Sequence, residues 1–115
     1  MMLPTQDTIA AIATAVSAGQ GGIAIIRISG SSAITIGQNV VSTTATSNWD
    51  SHTILYGRVI DPLTDELLDE VLVLIMRKPK SFTGEDVVEI HCHGGIIAVE
   101  RVLEKILNHP SARRA

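Results

Sequence analysis

Charge is nearly absent from the first half of this chain. Across residues 1–54 the charged side chains are Asp7, Arg27 and Asp50, whereas the other 18 fall in residues 55–115. A segment so poor in charge folds by burying itself against something, either its own second half or a partner. The 115 residues are 45% hydrophobic and 18% charged, enough apolar material for one core and too short a chain for two domains. Residues 1–115 are therefore read as a single domain. The same composition excludes an intrinsically disordered chain. It also leaves more apolar surface than a small monomer easily hides, so self-association is expected. A net charge of −3 and a pI near 5.7 have the wrong sign for a domain that mainly grips phosphate backbones. Nucleic acid is thus not its default partner.

One cysteine gives no internal disulfide and fits a reducing compartment. The longest uninterrupted apolar run, Val71 to Met76, is far too short to span a bilayer. Ile9 to Ala18 imitates the apolar part of a signal peptide, and Ala15-Val-Ser-Ala18 its cleavage site. Met1 to Asp7, however, carries no Lys or Arg, so the basic leader is missing. The expected location is the cytoplasm, with no membrane span.

The hydrophobic pattern predicts strands over Thr8–Thr14, Ile23–Ser29, Thr53–Ile60, Asp69–Met76 and Val87–His93. Glu66 to Met76 also tolerates a helical reading. Its continuous apolar run, β-branched at Val71, Val73 and Ile75, favours a strand joined to the preceding one by a hairpin through Asp61–Leu68. Ala18 to Gly22 is a glycine turn, and Ser42 to Ser47 a polar connector. Ser31 or Ser32 is placed to cap a short helix over Ala33–Val41. A second helix opens at Gly94-Gly95, with Ile96, Val99, Leu103 and Ile106 inward and Glu100, Arg101, Glu104 and Lys105 outward. Asn108 and Pro110 stop it. The sum is an α+β or α/β fold: a mixed sheet of about five strands with two to three helices.

Arg27 is the least expected residue. It sits inside Ile23-Ala-Ile-Ile-Arg-Ile-Ser29, where alternation gives Ile23, Ile25, Arg27 and Ser29 one face. A guanidinium there needs a carboxylate or an anionic ligand, or an edge from which to reach water. Glu89 is its counterpart. In Val87-Val-Glu-Ile-His-Cys-His93, alternation puts Val87, Glu89, His91 and His93 on one face and Val88, Ile90 and Cys92 on the other. A mid-strand carboxylate can pair with a cation such as Arg27, or accept two hydrogen bonds from the N–H edge of a guanine or pterin. Both readings stay open on sequence. His91 and His93 share a face at metal-ligand spacing, but Cys92 points away and no second ligand cluster accompanies them, so no metal site is assigned. Cys92 reads as a small buried hydrophobe, without a base beside it.

Ser29-Gly-Ser-Ser32 and His93-Gly-Gly95 both end strands and open helices. Their role is either anion contact or close strand-to-helix packing. A Gly-x-x-x-x-Gly-Lys-Ser/Thr phosphate loop is absent, so this stretch does not hydrolyse GTP or ATP by that route. Glu85 and Asp86, in the polar turn Ser81-Phe-Thr-Gly-Glu-Asp86, are expected to be solvated. So are Arg77-Lys-Pro-Lys80 and Arg113-Arg114. No catalytic residue is assigned.

Three blocks occur in order: Asp7-Thr-Ile-Ala-Ala-Ile-Ala-Thr14, Gly21-Gly-Ile-Ala-Ile-Ile-Arg-Ile-Ser-Gly30, and Ser81-Phe-Thr-Gly-Glu-Asp-Val-Val-Glu-Ile-His-Cys-His-Gly-Gly95. Together they closely resemble the N-terminal domain of the MnmE/TrmE family of tRNA-modification GTPases, from about Asp7 onward. The resemblance implies an α/β unit similar to the tetrahydrofolate-binding domains of one-carbon enzymes. It implies a homodimer that binds 5-formyltetrahydrofolate or another reduced one-carbon folate. Arg27 and Glu89 then fall on the family's folate contacts, with His93, Gly94 and Gly95 beside them. The full-length family adds GTP hydrolysis with potassium and magnesium. It acts with an MnmG/GidA-type flavoprotein to modify the wobble uridine of certain tRNAs. Two rival readings remain: a structural dimerisation module without ligand, and a stand-alone folate-dependent one-carbon transferase domain.

Overall fold

The computed structural model describes residues 8–13, 23–44, 48–78 and 84–114. The glycine turn expected over 18–22, the end of the first predicted strand at Thr14, and Ser81 to Thr83 lie outside them. The described chain runs β1 (Thr8–Ile12), β2 (Ala24–Ser29), α1 (Ala33–Val40), β3 (Ser42–Thr43), β4 (Thr53–Ile60), β5 (Leu67–Met76), β6 (Val87–Cys92), α2 (Ile96–Leu107) and β7 (Ala112–Arg114). The strands form one seven-stranded sheet in the order β3-β4-β5-β6-β2-β1-β7. Neighbours are antiparallel except β1 and β7, which run parallel. The expected α+β class holds, with two helices. The sheet gains two strands over the expected five because β3 and β7, of two and three residues, are too short to carry a period of their own.

Both helices pack against one face of this sheet. The alternation read in the sequence decides which side chains meet them. Ala24, Ile26 and Ile28 of β2, Val71, Val73 and Ile75 of β5, and Val88, Ile90 and Cys92 of β6 are buried in the core beneath the helices. α1 adds Ile36 and Val40, and α2 adds Val99, Val102, Leu103 and Ile106. Burial of this apolar stripe stabilises the fold more than helix propensity does, since α1 has only eight residues. The β4–β5 connection is the expected hairpin. The Asp61 amide donates to the Glu66 carbonyl at 2.8 Å, and Asp65 takes a positive φ of 61° in the turn.

The structure differs from expectation at Ile96, Lys105 and the α1 cap, while Arg77 and Glu85 are exposed and make tertiary contacts as well. Ile96 is 41% exposed, and Val102 takes an inward place instead. Lys105 is not a free outward charge. Its Nζ donates to the Ile60 carbonyl at 2.6 Å, and partial burial lowers its pKa against the opposing pull of Asp61. Ser32 stands at the N-cap of α1 without capping it through its side chain. The Ser32 amide donates to Oγ1 of Thr8, a fully buried β1 residue, so the capping oxygen comes from another strand. Arg77 donates from Nε and Nη2 to the Trp49 carbonyl and thereby fixes the loop before β4. Glu85 accepts from the Ser29 hydroxyl at 3.2 Å. Asp86 accepts from the Gly30 amide and the Lys78 amide, so this acidic turn ties β2 to β6.

Candidate functional site

Among the described residues, no helix lies on the second face of the sheet. Its rows follow from the register. Arg27 lies opposite Glu89, which lies opposite Leu74, which lies opposite Ile54. The next row runs Ile25, His91, Leu72 and Tyr56. Several of these side chains are large, apolar and exposed: Ile54 at 64%, Tyr56 at 52% and Leu72 at 38%, with Ile9 and Ile23 farther along. The charge-poor first half therefore buries one set of residues under the helices and leaves another set uncovered.

The charged centre of this face is the pair that the sequence singled out. Arg27 donates from Nε at 2.8 Å and from Nη2 at 2.5 Å, both to Oε2 of Glu89. The carboxylate is nearly buried, with 8% side-chain exposure, while the guanidinium keeps 43%. The other carboxylate oxygen, Oε1, lies 3.3 Å from Nε2 of His91. The arrangement is a row of three polar groups on an otherwise apolar surface, with the acceptor innermost. Such a row has the chemistry to meet a planar heterocycle whose edge offers adjacent donors and an acceptor. Of the two readings left open for each residue, the Arg27–Glu89 ion pair is formed; the pairing does not remove the second, because the guanidinium still faces outward.

His93, Gly94 and Gly95 lie at the end of β6, away from that row. Asp69, only 7% exposed, places Oδ2 at 2.9 Å from the His93 amide and 3.0 Å from the Gly94 amide. These two donors thus meet a carboxylate of the chain itself. A Cβ at Gly94 would sit 2.7 Å from that of Ala98 and 3.2 Å from Oδ1 of Asp69, so close packing accounts for this glycine. Asp69 went unnoticed in the sequence because Leu67-Leu-Asp-Glu-Val71 reads as an ordinary strand start. The His93 ring lies 3.2 Å from the Glu70 carbonyl. Beside it a shallow cavity of about 640 Å³ is lined by Tyr56, Glu70, Leu72, His93 and Gly94 among others. Among the described residues no group of three His, Cys, Asp or Glu side chains converges to hold a metal.

Cys92 faces the core and is 1% exposed. Burial, with a smaller contribution from the Asp69 charge, pushes its thiol pKa up to about 12. It is not an activated nucleophile. Native protein at pH 8 should resist alkylation by iodoacetamide over hours, and should take up one equivalent once unfolded in guanidinium. Fast labelling of the native protein would contradict the placement of β6.

Residues 8–115 match the sequence profile of a family described as "GTP-binding protein TrmE N-terminus". The chain is 62% identical over 112 residues to the tRNA modification GTPase MnmE of Prochlorococcus marinus (strain NATL1A), covering 97% of this chain and 24% of that protein. It is 61% identical over 113 residues to the protein of the same name from Synechococcus sp. (strain CC9605), covering 98% and 25%. Against that of Synechococcus sp. (strain WH7803) it is 58% identical over 109 residues, covering 95% and 24%. The chain spans about a quarter of the length of these curated relatives.

Proposed function

Because the chain belongs to the TrmE N-terminal family, we propose that it serves a tRNA-modification GTPase as a reduced-folate-binding and dimerising domain. The observation that carries the folate part is the Arg27–Glu89–His91 row on the uncovered sheet face. In this reading Glu89 accepts the N–H edge of a pterin, and Arg27 turns to an oxygen of the same ligand. 5-Formyltetrahydrofolate, or another one-carbon folate, supplies the group to be transferred. The apolar residues around the row, Ile54, Tyr56, Leu72 and Ile9, are 38–64% exposed. They support a homodimer built on this face. The wider assembly includes GTP, potassium and magnesium on a GTPase domain, an MnmG/GidA-type flavoprotein and tRNA, in the cytoplasm. These 115 residues hold no phosphate-loop motif and, in this reading, bind rather than catalyse.

The test is a calorimetric titration of 5-formyltetrahydrofolate into the chain at a concentration where its oligomeric state is known. Saturable binding is expected. Glu89→Gln should weaken it at least about tenfold, since losing a charge-assisted hydrogen bond costs roughly 1.5–3 kcal/mol. Equal affinity in that variant would overturn the pterin assignment. A folded dimer with no folate affinity would favour the dimerisation module alone, an outcome sedimentation equilibrium makes visible.

A further inference from the structure

The two oxygens of Glu89 are held unequally. Oε2 takes both Arg27 contacts, at 2.8 and 2.5 Å, while Oε1 has His91 Nε2 at 3.3 Å. A ligand edge with two adjacent donors needs a lone pair on each oxygen. Oε1, held by the longer contact, is the one the structure can yield with least rearrangement. The His91 side chain is 20% exposed, and its register partners on the two neighbouring strands are the apolar Ile25 and Leu72. A neutral imidazole donates to Oε1 only in the tautomer protonated at Nε2. An imidazolium always donates there and adds the attraction of opposite charges, holding the oxygen against a competitor.

We propose that His91 is a positioning residue that controls access to Oε1 of Glu89, so that ligand affinity at this site rises as His91 loses its proton. The proposal rests on the reading of Glu89 as the ligand's acceptor. The sign follows from the groups that face the ring. Glu89 meets it through Oε1, while Arg27 on β2 is held on the other oxygen, Oε2. Glu70 on β5 is engaged by the Tyr56 hydroxyl of β4 at 3.0 Å. His93, farther along β6, is directed to the Glu70 carbonyl. Glu89 is thus the charge that His91 contacts, and protonation strengthens the contact that ligand must break.

Two measurements test this. In the first, 5-formyltetrahydrofolate is titrated into wild type and His91→Gln at pH 5.5 and pH 8. Glutamine keeps an N–H donor for Oε1 but does not titrate. Wild type should bind at least about threefold more tightly at pH 8, as a bond between opposite charges gives way to one from an uncharged ring. His91→Gln should bind with nearly equal affinity at both. A flat wild-type profile, or an undiminished slope in His91→Gln, overturns the proposal. In the second, the ring is removed and the titration with 5-formyltetrahydrofolate is repeated at pH 5.5. His91→Ala, which removes the ring from Oε1, should bind the same folate at least about threefold more tightly than wild type at pH 5.5. Unchanged affinity there overturns His91 control alone and leaves the folate reading standing. Absence of folate binding at both pH values overturns the folate reading, and His91 control with it.

Discussion

Gly30→Ala is expected to destabilise the domain by about 3 kcal/mol or more, from backbone strain and overpacking together. Gly30 sits where β2 ends and α1 begins, with φ at +143°, a region that L side chains rarely adopt. An added Cβ would stand 2.6 Å from the Thr8 Cα and 2.6 Å from its Oγ1. Thr8 cannot retreat, because it is fully buried and its hydroxyl oxygen caps α1 through the Ser32 amide. The substitution therefore displaces β1, the cap of α1 and the Gly30 amide bond to Asp86 at once. Gly84→Ala provides the control. Its φ is also positive, at +77°, but nothing lies within 4 Å of the added atom. It should lose only about 1 kcal/mol, the cost of a left-handed backbone alone. Urea denaturation of the two variants separates strain from collision. Equal losses would mean that the Thr8 backbone does not press on Gly30.

The parts of this fold that were legible are those whose signal is local. A period-two reading of β2 and β6 gives Arg27 and Glu89 each a defined face of its own strand. Each stood out because a charged group interrupts an apolar strand. That they meet as register partners was not legible, since β2 and β6 are joined only by the sheet order. The same limit explains the rest. Thr8 caps a helix 24 residues away, Asp69 holds a turn of another strand, and Lys105 reaches the end of β4. These are polar side chains doing local jobs at long range, and composition around them carries no trace of it. His91 was read as a member of a His-x-His pair. The structure separates the two rings, one toward Glu89 and the other toward the Glu70 carbonyl. Adjacent positions on a face become different environments once β5 is laid alongside.

The second large effect is expected at Asp69. Asp69→Ala should cost about 1–3 kcal/mol, because it removes the buried carboxylate that both the His93 and Gly94 amides use as acceptor. Both amides converge on a single oxygen, Oδ2. That detail makes a sharper prediction than the loss itself. Asparagine also offers one carbonyl oxygen, so Asp69→Asn can keep both bonds in weaker, uncharged form and should lose only about 1 kcal/mol. The contrast identifies hydrogen bonding as the cause, since the two substitutes differ little in their effect on net charge. Amide exchange reads the same event locally. In Asp69→Ala the His93 and Gly94 amides should exchange much faster than those of β2, which lies farther from the lesion. Uniform acceleration across the sheet would mean that Asp69 supports the whole fold and not this turn. The location matters for the domain's task as well. α2 begins here with Gly95 at φ +92° and no side chain of its own to cap it. Asp69 therefore sets where β6 ends and α2 starts. A fault at that point would reach the sheet face through His93 and Glu70 before it reached Arg27 and Glu89. Folate affinity in Asp69→Asn should accordingly stay within about twofold of wild type, as expected for a site whose polar row is left intact. A much larger loss there would extend the binding site to the end of β6.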